Sequence, residues 1–191
     1  MTDTLGAREW QGTAVPTPGT FVLDPSHTTV GFVARHLMVT KVRGHFAEFE
    51  GSITVGEDPL ASSAQASIAT ASLTSGSADR DGHVKSADFL AVEEYPRMTF
   101  VSRSVSHVRG DRFTVVGDLT VKDVTRPVEL DVTVDGVARD PWGGERLAVT
   151  ATAEIDREEF GITWNVALES GGVLVSKKVK IEIEAQAVRQ V

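Results

Sequence analysis

The chain contains no cysteine, which excludes disulfide staples, thiolate metal sites and cysteine nucleophiles. Aromatic residues are scarce, 6% of 191 residues. The core must therefore come from small and branched side chains, and the recurring Val and Thr favour half-buried strands. No apolar run approaches the roughly 18 residues that span a bilayer as a helix. The opening segment, Met1 to Gly19, carries Asp3, Arg8 and Glu9 and no apolar stretch. No signal peptide is visible there, and a cytoplasmic location is expected for the chain as given. Positive charge is in deficit, 19 Lys and Arg against 27 Asp and Glu, for a formal charge of −8. A diffuse negative field repels phosphate backbones and anionic headgroups, so nucleic acid is not expected as a partner, nor is stable membrane insertion.

What is present is ordinary for a soluble domain: 41% hydrophobic and 24% charged residues, in a length that suits one core. Residues 1–19, rich in Thr, Gly and Pro, read as a flexible tail, and residues 20–191 as a single domain. Trp10 stands out in that tail, either solvated or loosely docked, or else binding a partner or plugging a pocket.

Beyond residue 20 the dominant period is two. Val128, Leu130, Val132 and Val134 oppose Glu129, Asp131, Thr133 and Asp135; Val179, Ile181, Ile183 and Ala185 alternate with Lys178, Lys180, Glu182 and Glu184. Leu147, Val149, Ala151, Ala153 and Ile155 form a third such face. Each pattern suits a sheet with one dry and one wet side. Weaker alternation and turn signals at Gly56–Pro59, Arg109–Asp111, Asp135–Gly136 and Pro141–Gly144 bring the count to eight or nine strands, in an antiparallel barrel or sandwich. Ser77–Glu94 breaks the period and is expected to be helical, with Ser77, Asp79 or Ser86 as caps and Pro96 as the stop. A short helical turn is expected at Arg157–Phe160.

Chemistry-bearing groups are sparse. The five histidines show no HxH or HExxH spacing, so no metal site is expected. Glu169-Ser170-Gly171-Gly172 lacks the setting of a hydrolase elbow, and Gly143-Gly144 precedes a strand rather than a helix. The densest polar cluster is Arg80, Asp81 and His83. It suits a helix brace, a ligand-headgroup contact or an acid/base pair, and the residue types alone do not choose among these.

The same cluster carries a resemblance to a family. Arg80-Asp81-Gly82-His83-Val84, continuing through Asp88-Phe89-Leu90 to Tyr95-Pro96 and Phe100, resembles a signature of the YceI-like proteins, bacterial lipocalin-like barrels that bind polyisoprenoids. Asp24-Pro25-Ser26-His27-Thr28, Arg35-His36-Leu37, Val42-Arg43-Gly44-His45-Phe46, Phe49-Glu50-Gly51, Gly117-Asp118-Leu119, Thr125-Arg126-Pro127 and Ile155-Asp156-Arg157 through Gly161 match in order and spacing. Val84 replaces the usual Leu, and Lys122-Asp123 stands where a Gly-containing turn is usual.

The resemblance implies an all-β fold: an extended antiparallel β-barrel of about eight strands, lipocalin-like, with one or two short helices closing one end. It implies a polyisoprenoid or isoprenoid quinone-like lipid in an internal tunnel, a carrier or storage role rather than catalysis, no cofactor, and a possible homodimer. For the tunnel lining we select Phe32, Phe46, Phe100, Phe113, Leu119, Leu130, Val132, Ile155, Ile181 and Ile183. For the mouth we select Arg80, Asp81 and His83, then His27 and Trp164. Two rivals are an enzyme using Asp81/His83 on a small apolar substrate and a barrel packed by its own side chains that serves protein–protein interaction.

Overall fold

The computed structural model describes residues 6–191. The strongest period-two segments become its long strands: β9 (Arg97–Arg109), β10 (Arg112–Val121), β11 (Val124–Arg139), β12 (Glu145–Asp156) and β13 (Lys178–Arg189). The first half of the chain supplies shorter pieces: β3 (Gly19–Leu23), β4 (Thr29–His36), β5 (Thr40–Phe46), β6 (Phe49–Val55), β7 (Ser63–Ala69) and β8 (Leu73–Thr74). The circuit β3-β6-β7-β9-β10-β11-β12-β13 returns to β3, every pairing antiparallel. Closure into eight strands chooses the barrel over the sandwich, and it removes edges that an open sheet would expose.

On the side away from β12, β13 serves two partners. Its Ala187–Arg189 end pairs with β3 and its Lys180–Glu184 stretch with β4. The turn at Pro25–His27 therefore only bends one long strand, and Ala47–Glu48 likewise bends β5 into β6. Before that bend β5 reaches β8 only at His45 and Phe46, so among the described residues Thr40–Gly44 has no strand on that side. Helix α1 (Ala78–Lys85) follows β8 there.

Two glycines make room for large rings. A Cβ on Gly44 would lie 2.4 Å from Phe32 Cζ, and one on Gly117 2.4 Å from Phe100 Cζ. Absent side chains on one strand thus seat aromatic rings of the next.

The expected helix over Ser77–Glu94 is shorter than its composition suggests. Ser77 caps it, accepting from Arg80 N–H, and Ser86 ends it by donating its hydroxyl to His83 O at 2.7 Å. The chain then turns so that Phe89, Leu90 and Val92 all enter the barrel end. A continued helix would spread these three around its axis, so burial overrides propensity. The turn at Arg157–Phe160 is present as a 3-10 helix. At Lys122-Asp123 the backbone follows the unusual residues, with Lys122 in the left-handed region at φ 58°.

Composition misread the N-terminus. Residues 7–16 form a hairpin, β1 (Ala7–Trp10) with β2 (Thr13–Pro16), rather than a flexible tail. Val15 and Pro16 are buried, Arg8 donates to Gly56 O at 2.8 Å, and Trp10 packs edge-on against His107 and beside Phe113. Arg189 anchors the following link through Thr17 O and Pro18 O. Few apolar residues suffice because the barrel end supplies the other half of the core. Residues 1–5 of the expected tail lie outside the described residues.

Two apolar clusters close the barrel. Phe21, Val55, Leu147 and Ala187 fill the end near the hairpin; Phe89, Leu90, Met98, Phe160 and Ile162 fill the end near α1.

Candidate functional site

Between these clusters lies a cavity of about 980 Å³, at the upper end of the usual range for ligand pockets. Its wall follows from period two, since alternate residues of each strand point inward. Phe32 and Phe46 come from β4 and β5, Phe100 from β9, Phe113 and Leu119 from β10. Leu130 and Val132 come from β11, Ile155 from β12, Ile181 and Ile183 from β13. All ten residues selected for the lining border the cavity. Phe32, Phe100, Leu130, Ile155 and Ile181 are only partly buried although they face the barrel interior. Their remaining exposure is to the bore, so the barrel is not packed solid by its own side chains.

Polar groups gather where β5 lacks a strand partner. Ser75, Ser77, Asp79, Arg80, His83 and Trp164 border the cavity with His36 and Thr40. Of these, His36, Thr40, Asp79 and Arg80 are exposed, so the cavity meets the surface through a side portal between β5 and α1. Ser75 carried no sequence signal, and Ser77 only that of a helix cap.

Within the portal, His83 Nε2 lies 2.9 Å from Asp88 Oδ2. Its ring meets Trp164 edge-on at 4.6 Å and Phe89 at 5.1 Å. Asp81, the ring's partner in the rival enzyme reading, turns away from the cavity and accepts from Ser75 N–H at 2.9 Å. Arg80 reaches the same serine, donating to its hydroxyl at 2.7 Å and its carbonyl at 2.8 Å. An Asp81/His83 pair is therefore not formed: residues two apart on a helix point about 200° from one another. Asp81 braces the helix, whereas Arg80 both braces it and faces the cavity.

His27 is also misplaced by sequence reasoning. It sits near the opposite end of the barrel, where its Nδ1 lies 2.9 Å from Asp24 Oδ2. Asp24 also accepts from Ser26 and from Arg146 at 2.7 Å, and Arg146 bridges to Asp140. The Ser26 hydroxyl first, then Arg146 and His27, hold the Asp24 carboxyl far below the usual carboxylate range. Asp140 is lowered chiefly by the Gly144 N–H, then by Arg146. This network clamps the outer wall and does not border the cavity.

Trp164 is held in place by a buried cation. Arg157, 4% exposed, donates to Ser176 O at 2.9 Å, Ile162 O at 2.8 Å and Trp164 O at 2.9 Å. Burial lowers its pKa, yet a guanidinium stays charged at any ordinary pH. Four backbone carbonyls take the place of a carboxylate partner, the fourth being Val175 O. They fix the loop from Gly161 to Ser176 across the barrel end.

The model of the YceI-like domain matches residues 21–187, starting just beyond the hairpin. A UPF0312 protein of Staphylococcus aureus (strain USA300) is 38% identical over 168 residues, covering 87% of this chain and 95% of that protein. Among solved structures, BcnA of Burkholderia cenocepacia superposes with a TM-score of 0.73 at 24% identity, over 86% of this chain and 99% of that one. A polyisoprenoid binding domain from Saccharophagus degradans superposes with a TM-score of 0.63 at 15% identity, over 91% and 100%. Those two likenesses concern the fold; the matched domain and the staphylococcal relative place this chain in the YceI-like family.

Proposed function

We propose that this chain binds a long apolar lipid, a polyisoprenoid or isoprenoid quinone-like molecule, in its bore and serves as a carrier or store. The observation that carries this reading is a cavity of about 980 Å³ walled by inward-facing Phe, Leu, Val and Ile. Such a wall offers a hydrated solute nothing to replace its water, whereas a hydrocarbon loses nothing on entry. One isoprene unit gains roughly 3 kcal/mol when fully removed from water, at about 0.8 kcal/mol per CH2 equivalent. Several units exceed known affinities, so ordering and translational losses must offset much of that sum. The fold shared with a domain described as polyisoprenoid binding supports the same class of ligand.

At the portal, Arg80, His83 and Trp164 are positioned to meet a polar headgroup, with Ser77 beside them. A binding role is favoured over catalysis: the His–carboxylate pair at the portal, His83 with Asp88, stands next to aromatic rings rather than a hydroxyl nucleophile. The test is organic extraction of the purified protein followed by mass spectrometry. A co-purifying chain of repeated isoprene units is expected. An empty extract, together with failure to take up an added polyprenol, overturns the proposal.

A further inference from the structure

We infer that the portal side of the barrel docks on an anionic lipid bilayer. The outer faces of β13, β4 and β5 meet in one strip beside the portal. Lys180 lies opposite Val33, and Val33 opposite Arg43; one step nearer the portal rim, Arg35 lies opposite Lys41. Lys178 begins β13 at the same level, its neighbour Ser176 bonded to the Arg35 backbone. Five cations thus surround Val33, which is only 8% exposed and forms an apolar floor beneath them. The acid inside the strip is Glu182, paired with Arg43 at 2.9 Å and Lys180 at 3.1 Å. Glu154 and Asp156 stand on the β12 flank, opposite Lys180 and Lys178. With these five of the 19 Lys and Arg and Glu182 set aside, acids outnumber bases nearly two to one in the rest of the chain. The negative total therefore conceals a local concentration of positive charge.

That strip ends in an apolar tip. Leu37, Met38 and Val39 join β4 to β5 and are exposed, Val39 to 77%. Leu37 and Met38 hold left-handed φ values of 54° and 59°, a conformation that disfavours large side chains. Leu37 N–H donates to Leu174 O and Val39 N–H to His36 O, fixing the tip. The exposed Val166 belongs to the same neighbouring loop, paired with Leu174. His36 and Thr40, on either side of the tip, border the cavity.

An apolar tip flanked by Lys and Arg is the pattern of a segment that dips into an interface while its cations meet anionic headgroups. Trp142, 87% exposed, projects from the opposite end, where the flanking Arg139 and Arg146 are paired with Glu145, Asp140 and Asp24. Docking at the portal would let a hydrocarbon pass between bilayer and bore without crossing water. This purpose rests on the lipid-binding reading, but docking itself is measured without cargo.

The test is flotation of the full chain with vesicles of phosphatidylcholine alone or mixed with phosphatidylglycerol. Binding is expected to the mixed vesicles and to weaken as salt screens the cations. Lys41→Gln and Lys178→Gln should each lower partitioning about fivefold, the equivalent of about 1 kcal/mol per basic residue near such a surface. Val39→Asp should lower it further, with unchanged melting curves. Arg109→Gln, the same charge change at the far end, and Trp142→Ala should leave it intact. No binding to the mixed vesicles, or equal loss in Arg109→Gln, overturns the inference. So does retention on polyglutamate or duplex DNA in place of vesicles. Docking by a protein that gives an empty extract and takes up no added polyprenol sinks only the carrier reading; a lipid-loaded protein that ignores vesicles sinks only this one.

Discussion

Leu130 and Asp24 illustrate two ways in which one side chain governs this molecule. Leu130 lies mid-strand on the cavity wall, packed against the apolar cluster near α1. Leu130→Arg is expected to abolish lipid uptake, measured by extraction and mass spectrometry, and to destabilise the fold by about 3 kcal/mol or more as the cation seeks water. Asp24 acts through linkage. Its carboxyl titrates below the ordinary value when folded, so the unfolded chain binds more protons in acid. The stabilisation is complete above about pH 4, the ordinary carboxylate value, and is lost as the pH falls below it. Melting temperature should therefore drop on acidification, and Asp24→Asn should flatten that drop while lowering stability at neutral pH. An unchanged acid profile in that variant would remove Asp24 from the account.

Elements position the wall that single residues line. On β10, Gly117 seats the Phe100 ring, and a Cβ there would also lie 2.7 Å from Val101 O. The ring can rotate, but the backbone has to move. Gly117→Ala should cost about 1–3 kcal/mol in denaturant unfolding and push Phe100 into the bore, reducing uptake. The N-terminal hairpin works differently, as a cap held by few contacts. Trp10→Ala removes its packing on His107 and Phe113, worth about 1 kcal/mol for the aromatic pairing. Amide exchange over residues 7–16 should accelerate while β10 and β11 stay protected; uniform acceleration would mean that the hairpin is integral to the barrel. The free side of β5 carries Lys41 and Arg43, charges of the kind that guard edge strands against pairing with another chain.

At the scale of the whole molecule, the bore has a side portal near α1 and a far end to which β2 contributes Val15 and Pro16. A chain entering at the portal gains affinity with each unit buried until the far end stops it. In a series of polyprenols, affinity measured by competition should rise with length and then level off, the plateau marking the filled bore. A continuous rise would require an opening past Val15.

The alternation Val128-Leu130-Val132 and Ile181-Ile183 made strands and their dry faces legible directly, because strand period is a local property of the chain. All ten wall residues were readable for that reason, and the barrel with its YceI-like motifs followed from their order. Contacts between distant segments were not readable. The hairpin at residues 7–16 looked polar because half of its core is provided by Phe113 and His107, a hundred residues away in the chain. Asp81 and His27 looked like mouth residues because composition cannot tell which side of an element faces the bore. His83 found Asp88 rather than Asp81 because the chain turns at Ser86, and Arg35, Lys41 and Lys178 joined in one patch only once β13 had closed against β4. Local periodicity determined the wall; long-range closure of the sheet decided where it opens and what lies beside the opening.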